Sequence, residues 1–368
     1  GDQARLHGAG AQPAVFKVMP KPPSTKEAAA RLINYLGRRE NEKGEKHDID
    51  IFDEDGEVLA TSAARKAFLK TFCETFEPPL ENTNFIEVRF ELSGDVSDAD
   101  LSAAFNKAHE LLHVACRDDD SIDVIDVASL GVVDSIPPGP SPEMFRLSDD
   151  ETSVYVSDEE NSTVERIDLK SKIAVQTIPS GAEPEGILIM PGGKIVFATS
   201  EVADMVHIID TQKGAVIKNI LVGTRPRRFI HLPTLNEVWV SCELSSEIFI
   251  LDSNTYEIKG DRLIIIPPGF QEEDVTPVGM AVTRDDSKVL LSLGRANHLA
   301  IIDSKSHNVL SFVLTGRRPW SVDLSADEKT AIVANGLSDD ITVVDMVSMQ
   351  PVQSFPIGRI PHTVVIDD

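Results

Sequence analysis

The chain has 368 residues, 41% of them hydrophobic, and 60 Asp and Glu against 35 Lys and Arg give it a net charge of −25. That composition excludes a disordered polymer, no run of about 18 apolar residues exists to cross a bilayer, and the charge repels phosphate backbones. Nucleic acid is therefore not an expected partner, whereas a basic protein is.

The first residues, Gly1-Asp2-Gln3, read as neither a signal peptide nor a lipidation signal. Residues 24–36 admit two readings, a helix capped by Ser24 or Thr25 or a strand at Leu32–Leu36. Asp48-Ile-Asp-Ile-Phe-Asp53 before Gly56 predicts a strand and a tight turn. As a calcium loop it fails, because Ile51 and Ser62 stand where ligands are needed. A helix is expected over Ser62–Phe76, where Ala63, Phe68, Phe72 and Phe76 share a face and Pro78-Pro79 ends it. Phe85–Leu92 then alternates like a strand.

From there on the chain repeats itself. Two apolar residues and an Asp recur, imperfectly at Asp168, ending at Asp126, Asp168, Asp210, Asp252, Asp303 and Asp345, in steps of 42, 42, 42, 51 and 42. Pro142, Pro184, Pro226, Pro277, Pro319 and Pro361 keep a fixed interval of 16 behind those Asp, except at Pro277, where nine residues are inserted. Four short strand-like runs per period of about 42 residues are the signature of a β-propeller blade. Asp ends the third strand, where it accepts turn amides, and Pro opens the first, where no ladder N–H is lost.

Counting back 42 from Pro142 reaches Asp100, so seven first strands are expected, starting after positions 100, 142, 184, 226, 277, 319 and 361. The prediction is an all-β, seven-bladed propeller with an N-terminal helical elaboration. Residues 1–46 form an extension that supplies a closing strand. Residues 47–368 form the propeller, with a helix-bearing insertion at 62–92 and a nine-residue one at 268–276. Cys73, Cys116 and Cys242 make no CxxC pair, and Cys116 and Cys242 lie three periods apart, out of bonding reach.

His109-Glu-Leu-Leu-His113 is formally a zinc-protease motif, which requires a helix. The repeat register makes 110–116 a second strand instead, with His113 in phase with Tyr155, Phe197, Trp239, Leu290 and Ile332. Residues four apart on a strand are separated by about 13 Å, too far to share a zinc ion. No metal site is expected, and none at Arg117-Asp-Asp-Asp120. The residues after each Pro (Leu101, Glu143, Glu185, Arg227, Val278, Trp320 and His362) converge on one mouth of the channel, with Arg225, Arg318 and Arg359 nearby. Glu143, Glu185, Arg227, Arg318, Trp320 and His362 are thus the candidate binding residues. Mutual ion pairing that plugs the mouth is the equal alternative.

The segments 139–145, Glu183-Pro-Glu-Gly186, Thr199-Ser-Glu201, 205–210, Arg225-Pro-Arg227, 237–241 and Asn335-Gly336 resemble those of YVTN-repeat seven-bladed propellers. The resemblance is strongest to the PQQ-dependent catabolism-associated β-propeller proteins; it covers 98–368, thins over 41–61 and departs over 1–40 and 62–84. It implies an exported, periplasmic protein that accompanies quinoprotein alcohol oxidation and its c-type cytochromes, with a eukaryotic organelle such as the mitochondrion as the alternative. No haem CxxCH, nucleotide loop or GxSxG elbow occurs, and the regular tryptophans of quinoprotein dehydrogenases are lacking, so no cofactor, PQQ included, and no catalytic residue are expected. The functional expectation is a non-enzymatic scaffold or accessory subunit. It would dock a basic c-type cytochrome or membrane-complex subunit through Glu272, Glu273 and Asp274 of the inserted loop. The alternative is a lactonase-like hydrolase working at the channel mouth.

Overall fold

A computed structural model describes residues 11–13, 16–18, 91–93, 102–106 and 110–366. The expected period becomes antiparallel blades in chain order. Blade 1 is Ala103–Phe105, Leu111–Cys116, Ser121–Asp126 and Gly131–Ile136. Blade 2 is Pro142–Leu147, Ser153–Asp158, Thr163–Asp168 and Ile173–Pro179. Blade 3 is Pro184–Ile189, Ile195–Ser200, Met205–Asp210 and Ala215–Leu221. Blade 4 is Pro226–Leu232, Glu237–Cys242 and Glu247–Asp252, with a looser fourth segment bridged at Leu251 to Ile258 and Ile248 to Leu263. Blade 5 is Pro277–Val282, Lys288–Leu293, His298–Asp303 and Val309–Leu314. Blade 6 is Pro319–Leu324, Thr330–Asn335, Asp340–Asp345 and Gln350–Pro356.

Six blades, not the expected seven, are therefore present among the described residues. The seventh first strand does form, at Val364–Ile366, but its described partner is Phe16–Val18, in parallel. No hairpin joins these two segments, so nothing imposes the antiparallel pairing that a blade requires. The expected closing strands at Leu32–Leu36 and 48–53 lie outside the described residues, as do the helices over 24–36 and 62–76. The described residues hold no α-helix, merely three single 3-10 turns, and the expected helical elaboration falls outside them. Glu91–Ser93, which overlaps the end of the strand expected over 85–92, pairs with Ala11–Pro13.

The repeat marks act locally as their chemistry predicts. Asp210, Asp252, Asp303 and Asp345 accept backbone N–H groups two or three residues on, closing the turn to the fourth strand. The Thr255 and Ser348 amides hold the carboxyls of Asp252 and Asp345 below the usual range, and the Ser306 hydroxyl does so for Asp303. Between blades the core is apolar and interdigitated. Trp239, fully buried, packs with Ile250, Val289, Leu291 and Ile302 between blades 4 and 5. In the same phase, His113 is buried on its strand, and desolvation pulls its pKa down, so it is a neutral core residue. Cys116 and Cys242 are free and buried; burial pushes the Cys116 thiol up to about 12 and raises that of Cys242.

The inner strands carry a shared irregularity. After Pro142, Pro184, Pro226 and Pro277 the register jumps, so that two residues bulge out of each ladder. A second-strand hydroxyl fills each gap: Ser157, Thr199, Ser241 and Ser292 accept the N–H of Met144, Gly186, Arg228 and Gly279, at 2.9, 2.6, 3.2 and 2.7 Å. Three of them also donate to the next blade, Thr199 to the Arg227 carbonyl, Ser241 to Val278 at 2.7 Å and Ser292 to Trp320 at 3.3 Å. At Gly186 and Gly279 the neighbouring inner strand passes so close that a Cβ would strike its carbonyl.

Ser241→Ala leaves the Arg228 N–H and the Val278 carbonyl without their shared partner. The expected loss is about 1–3 kcal/mol in urea unfolding, largely restored by Ser241→Thr, which copies Thr199; an unchanged midpoint for the alanine variant contradicts the bridging role.

Candidate functional site at the channel mouth

Three positions per repeat meet at the end where first strands begin and second strands finish. The first precedes each Pro and adopts positive φ at Ser141, Glu183, Arg225, Thr276, Arg318 and Ile360, with values of 48–59°. Non-glycine residues rarely hold that conformation. Here it is fixed from a third-strand turn, as Asp120, Asp204, Asn297 and Asp339 accept the N–H of Ser141, Arg225, Arg318 and Ile360 at 2.8–3.0 Å. The second position follows each Pro, on the bulge. The third lies just past the second strand and reads Arg117, Glu159, Glu201, Glu243, Gly294 and Gly336.

Together these positions line a cavity of about 360 Å³. Arg227, with its side chain 1% exposed, is the hub. It pairs with Glu185 at 2.7 Å, with Glu201, and at 3.6 Å with Glu243. Arg225 reaches Glu201 at 2.7 Å, and Arg318 pairs with Glu243. Arg117 holds Glu143 at 2.8 Å and Glu159 at 2.5 Å, while Arg228 engages Glu185 from below. The Arg318 and Arg227 guanidiniums lie 4.8 and 5.5 Å from the Trp320 ring centroid, and His362 contacts the same ring at 4.7 Å. Trp320 has an indole N–H buried without a protein partner.

Of the six residues named from sequence, Glu143, Glu185, Arg227, Arg318 and Trp320 line this cavity, and His362 lies against the Trp320 ring. Leu101 and His109 lie outside the described residues, and Val278 is buried. Glu272, Glu273 and Asp274 form an exposed 3-10 turn in the connection entering blade 5, apart from the cavity lining. Residues that sequence reasoning passed over are Arg117, Glu159, Glu201 and Glu243, four members of the web. The signal was available: they recur at 42-residue steps one position beyond each second strand.

Chemically, the cavity is a charge web in which every carboxylate that lines its wall beside Arg227 is already met by a guanidinium. Among the described residues, no group of three or more His, Cys, Asp or Glu is placed to hold a metal ion.

No family model matches the chain, and no curated protein sequence matches it. Among solved structures it is similar to a chain of Kuenenia stuttgartiensis hydrazine synthase, with a TM-score of 0.62 and 20% identity, covering 72% of this chain and 87% of that one. In all, 1571 solved chains match, so shape by itself shows the propeller and carries no activity.

Arg227→Met removes the hub and leaves Glu185 and Glu201 with one guanidinium each, those of Arg228 and Arg225. The expected destabilisation is about 1.5–3 kcal/mol by denaturant unfolding. A loss below 1 kcal/mol would mean that the web behaves like exposed ion pairs.

Proposed function

We propose that the protein is a non-enzymatic docking scaffold, an accessory subunit whose mouth face receives a basic protein. The observation that carries this reading is the division of labour on that face. Its deep charges satisfy one another, while its outer turns are apolar: Val202, Leu244 and Leu337 are 63, 49 and 57% exposed at equivalent positions, where other repeats carry Glu160 and Arg295. Exposed apolar side chains rimmed by charge mark protein-interaction surfaces. The inserted Glu272–Asp274 turn enters blade 5 from the same end of the disc and adds acidic charge to that end. A net charge of −25 accelerates encounter with a basic partner. The resemblance to propellers that accompany quinoprotein oxidation makes a c-type cytochrome, or a basic subunit of a respiratory membrane complex, the partner to try first. Those candidates also favour a periplasmic setting.

The disc itself, in this reading, closes with seven blades. Seven first strands in phase support it, as does the pairing of Phe16–Val18 with Val364–Ile366, which brings N-terminal residues to the last strand. A chain lacking residues 1–61 is expected to lose cooperative folding; melting at the full-length temperature would overturn closure.

Docking is tested by binding kinetics against a basic cytochrome c. Exposed charges are screened beyond about 10 Å at 0.1 M ionic strength, so the association rate is expected to fall as salt rises. Reversing Glu272, Glu273 and Asp274 to Lys is expected to slow association about tenfold without moving the melting temperature. Binding indifferent to both salt and reversal, or turnover of gluconolactone by the purified chain, would refute the scaffold reading.

A further inference from the structure

Below the mouth web, the inner strand of blade 2 carries a second arginine that the web does not use. Arg146 spends one nitrogen, Nη1, on its own strand, donating to the Phe145 carbonyl at 3.1 Å and contacting the Met144 sulfur at 3.4 Å. The Ser102 hydroxyl of blade 1 meets the same sulfur at 3.0 Å, which fixes that wall. The Nε and Nη2 edge of the guanidinium has no protein acceptor among the described residues, and no carboxylate there stands within ion-pair distance of it. The charged groups that act on Arg146 are Arg228 and Asp323, on the inner strands of blades 4 and 6. Neither blade adjoins blade 2, so the space these groups share is the central channel.

Both channel neighbours are otherwise engaged. Arg228 pairs with Glu185 above it, and Asp323 accepts the N–H groups of Leu324 and Ile366 at 2.9 and 2.8 Å. Burial first, and the like charge of Arg228 second, pull the Arg146 pKa down to about 10, a sign that its charge lacks close compensation. A guanidinium whose Nε–Nη2 edge is open presents two parallel donors, the geometry that takes two oxygens of one planar or tetrahedral anion. The side chain is partly exposed, so a solute anion can reach that edge.

We propose that the channel holds a small oxyanion, a phosphate-like or carboxylate group, bound side-on by the Nε and Nη2 of Arg146 with Arg228 contributing field from across the channel. The site is distinct from the mouth web and does not depend on the docking reading.

The test is calorimetric and thermal titration of the full chain with inorganic phosphate, and separately with acetate, with chloride balancing ionic strength. Saturable binding and a rising melting temperature are expected with phosphate. Response to acetate as well would identify a bidentate oxyanion site in general; response to phosphate alone would restrict it to tetrahedral anions. Arg146→Met is expected to abolish the response. Arg146→Lys keeps the charge without the fork and is expected to weaken binding on the order of tenfold, which preserves the test should the methionine variant fail to fold. Arg318→Met, which alters only the mouth, is expected to leave phosphate binding intact. Equal effects of phosphate and chloride, a full response in Arg146→Met, or loss of response in Arg318→Met instead would each overturn the proposal.

Discussion

A hydroxyl group that spans a gap in the backbone ladder underlies both the shape of the disc and the site at its mouth. Ser157, Thr199, Ser241 and Ser292 stand in for the ladder bonds that the inner-strand bulge gives up. Without that substitution, buried N–H groups would be left unpaired, each at a cost comparable to a lost hydrogen bond. With it, the chain can bulge, and the bulge is what swings Glu143, Glu185 and Arg227 away from the sheet and toward the axis. The same hydroxyls of blades 3, 4 and 5 reach the carbonyl of the following blade, so one atom sets the strand and the spacing between blades. Where the device lapses the geometry changes. Blade 6 has Ala334 in that place, its register slips by a smaller step, and the Ser321 hydroxyl oxygen instead accepts the Val364 N–H at 2.9 Å.

The mouth then follows from electrostatics. Converging strands bring four arginines and several glutamates into a space of about 360 Å³, and a charge taken from water must find its opposite. Arg227 accomplishes this at nearly complete burial because a guanidinium can address several carboxylates along different edges. Apolar packing of the same volume would hold the ring as well or better. What the web adds is direction, since each pair is satisfied at one rotation of one blade against the next.

Much of the propeller was legible because its marks are local. An Asp that accepts amides two and three residues on, and a Pro that opens a strand, need no knowledge of the rest of the chain, and their phase revealed the blades. The same phase placed His113 on a strand, where it lies. What escaped was whatever depends on a neighbouring blade. The Thr199 and Ser241 hydroxyls look like ordinary strand residues until the next inner strand is beside them. Arg117, Glu159, Glu201 and Glu243 look like solvated turn charges until their partners arrive from other repeats. The parallel meeting of Phe16–Val18 with Val364–Ile366 spans nearly the whole chain, and no local pattern announces it.

The buried thiols have a consequence for where such a disc can work. Cys116 and Cys242 lie under packed strands with their ionisation pushed far above neutrality, so almost no thiolate exists to meet an oxidant or a disulfide. Thiol exchange and sulfenic acid formation both begin with that anion. The blades that carry these cysteines are therefore redox-insulated: the packing of those strands owes nothing to the potential of their surroundings.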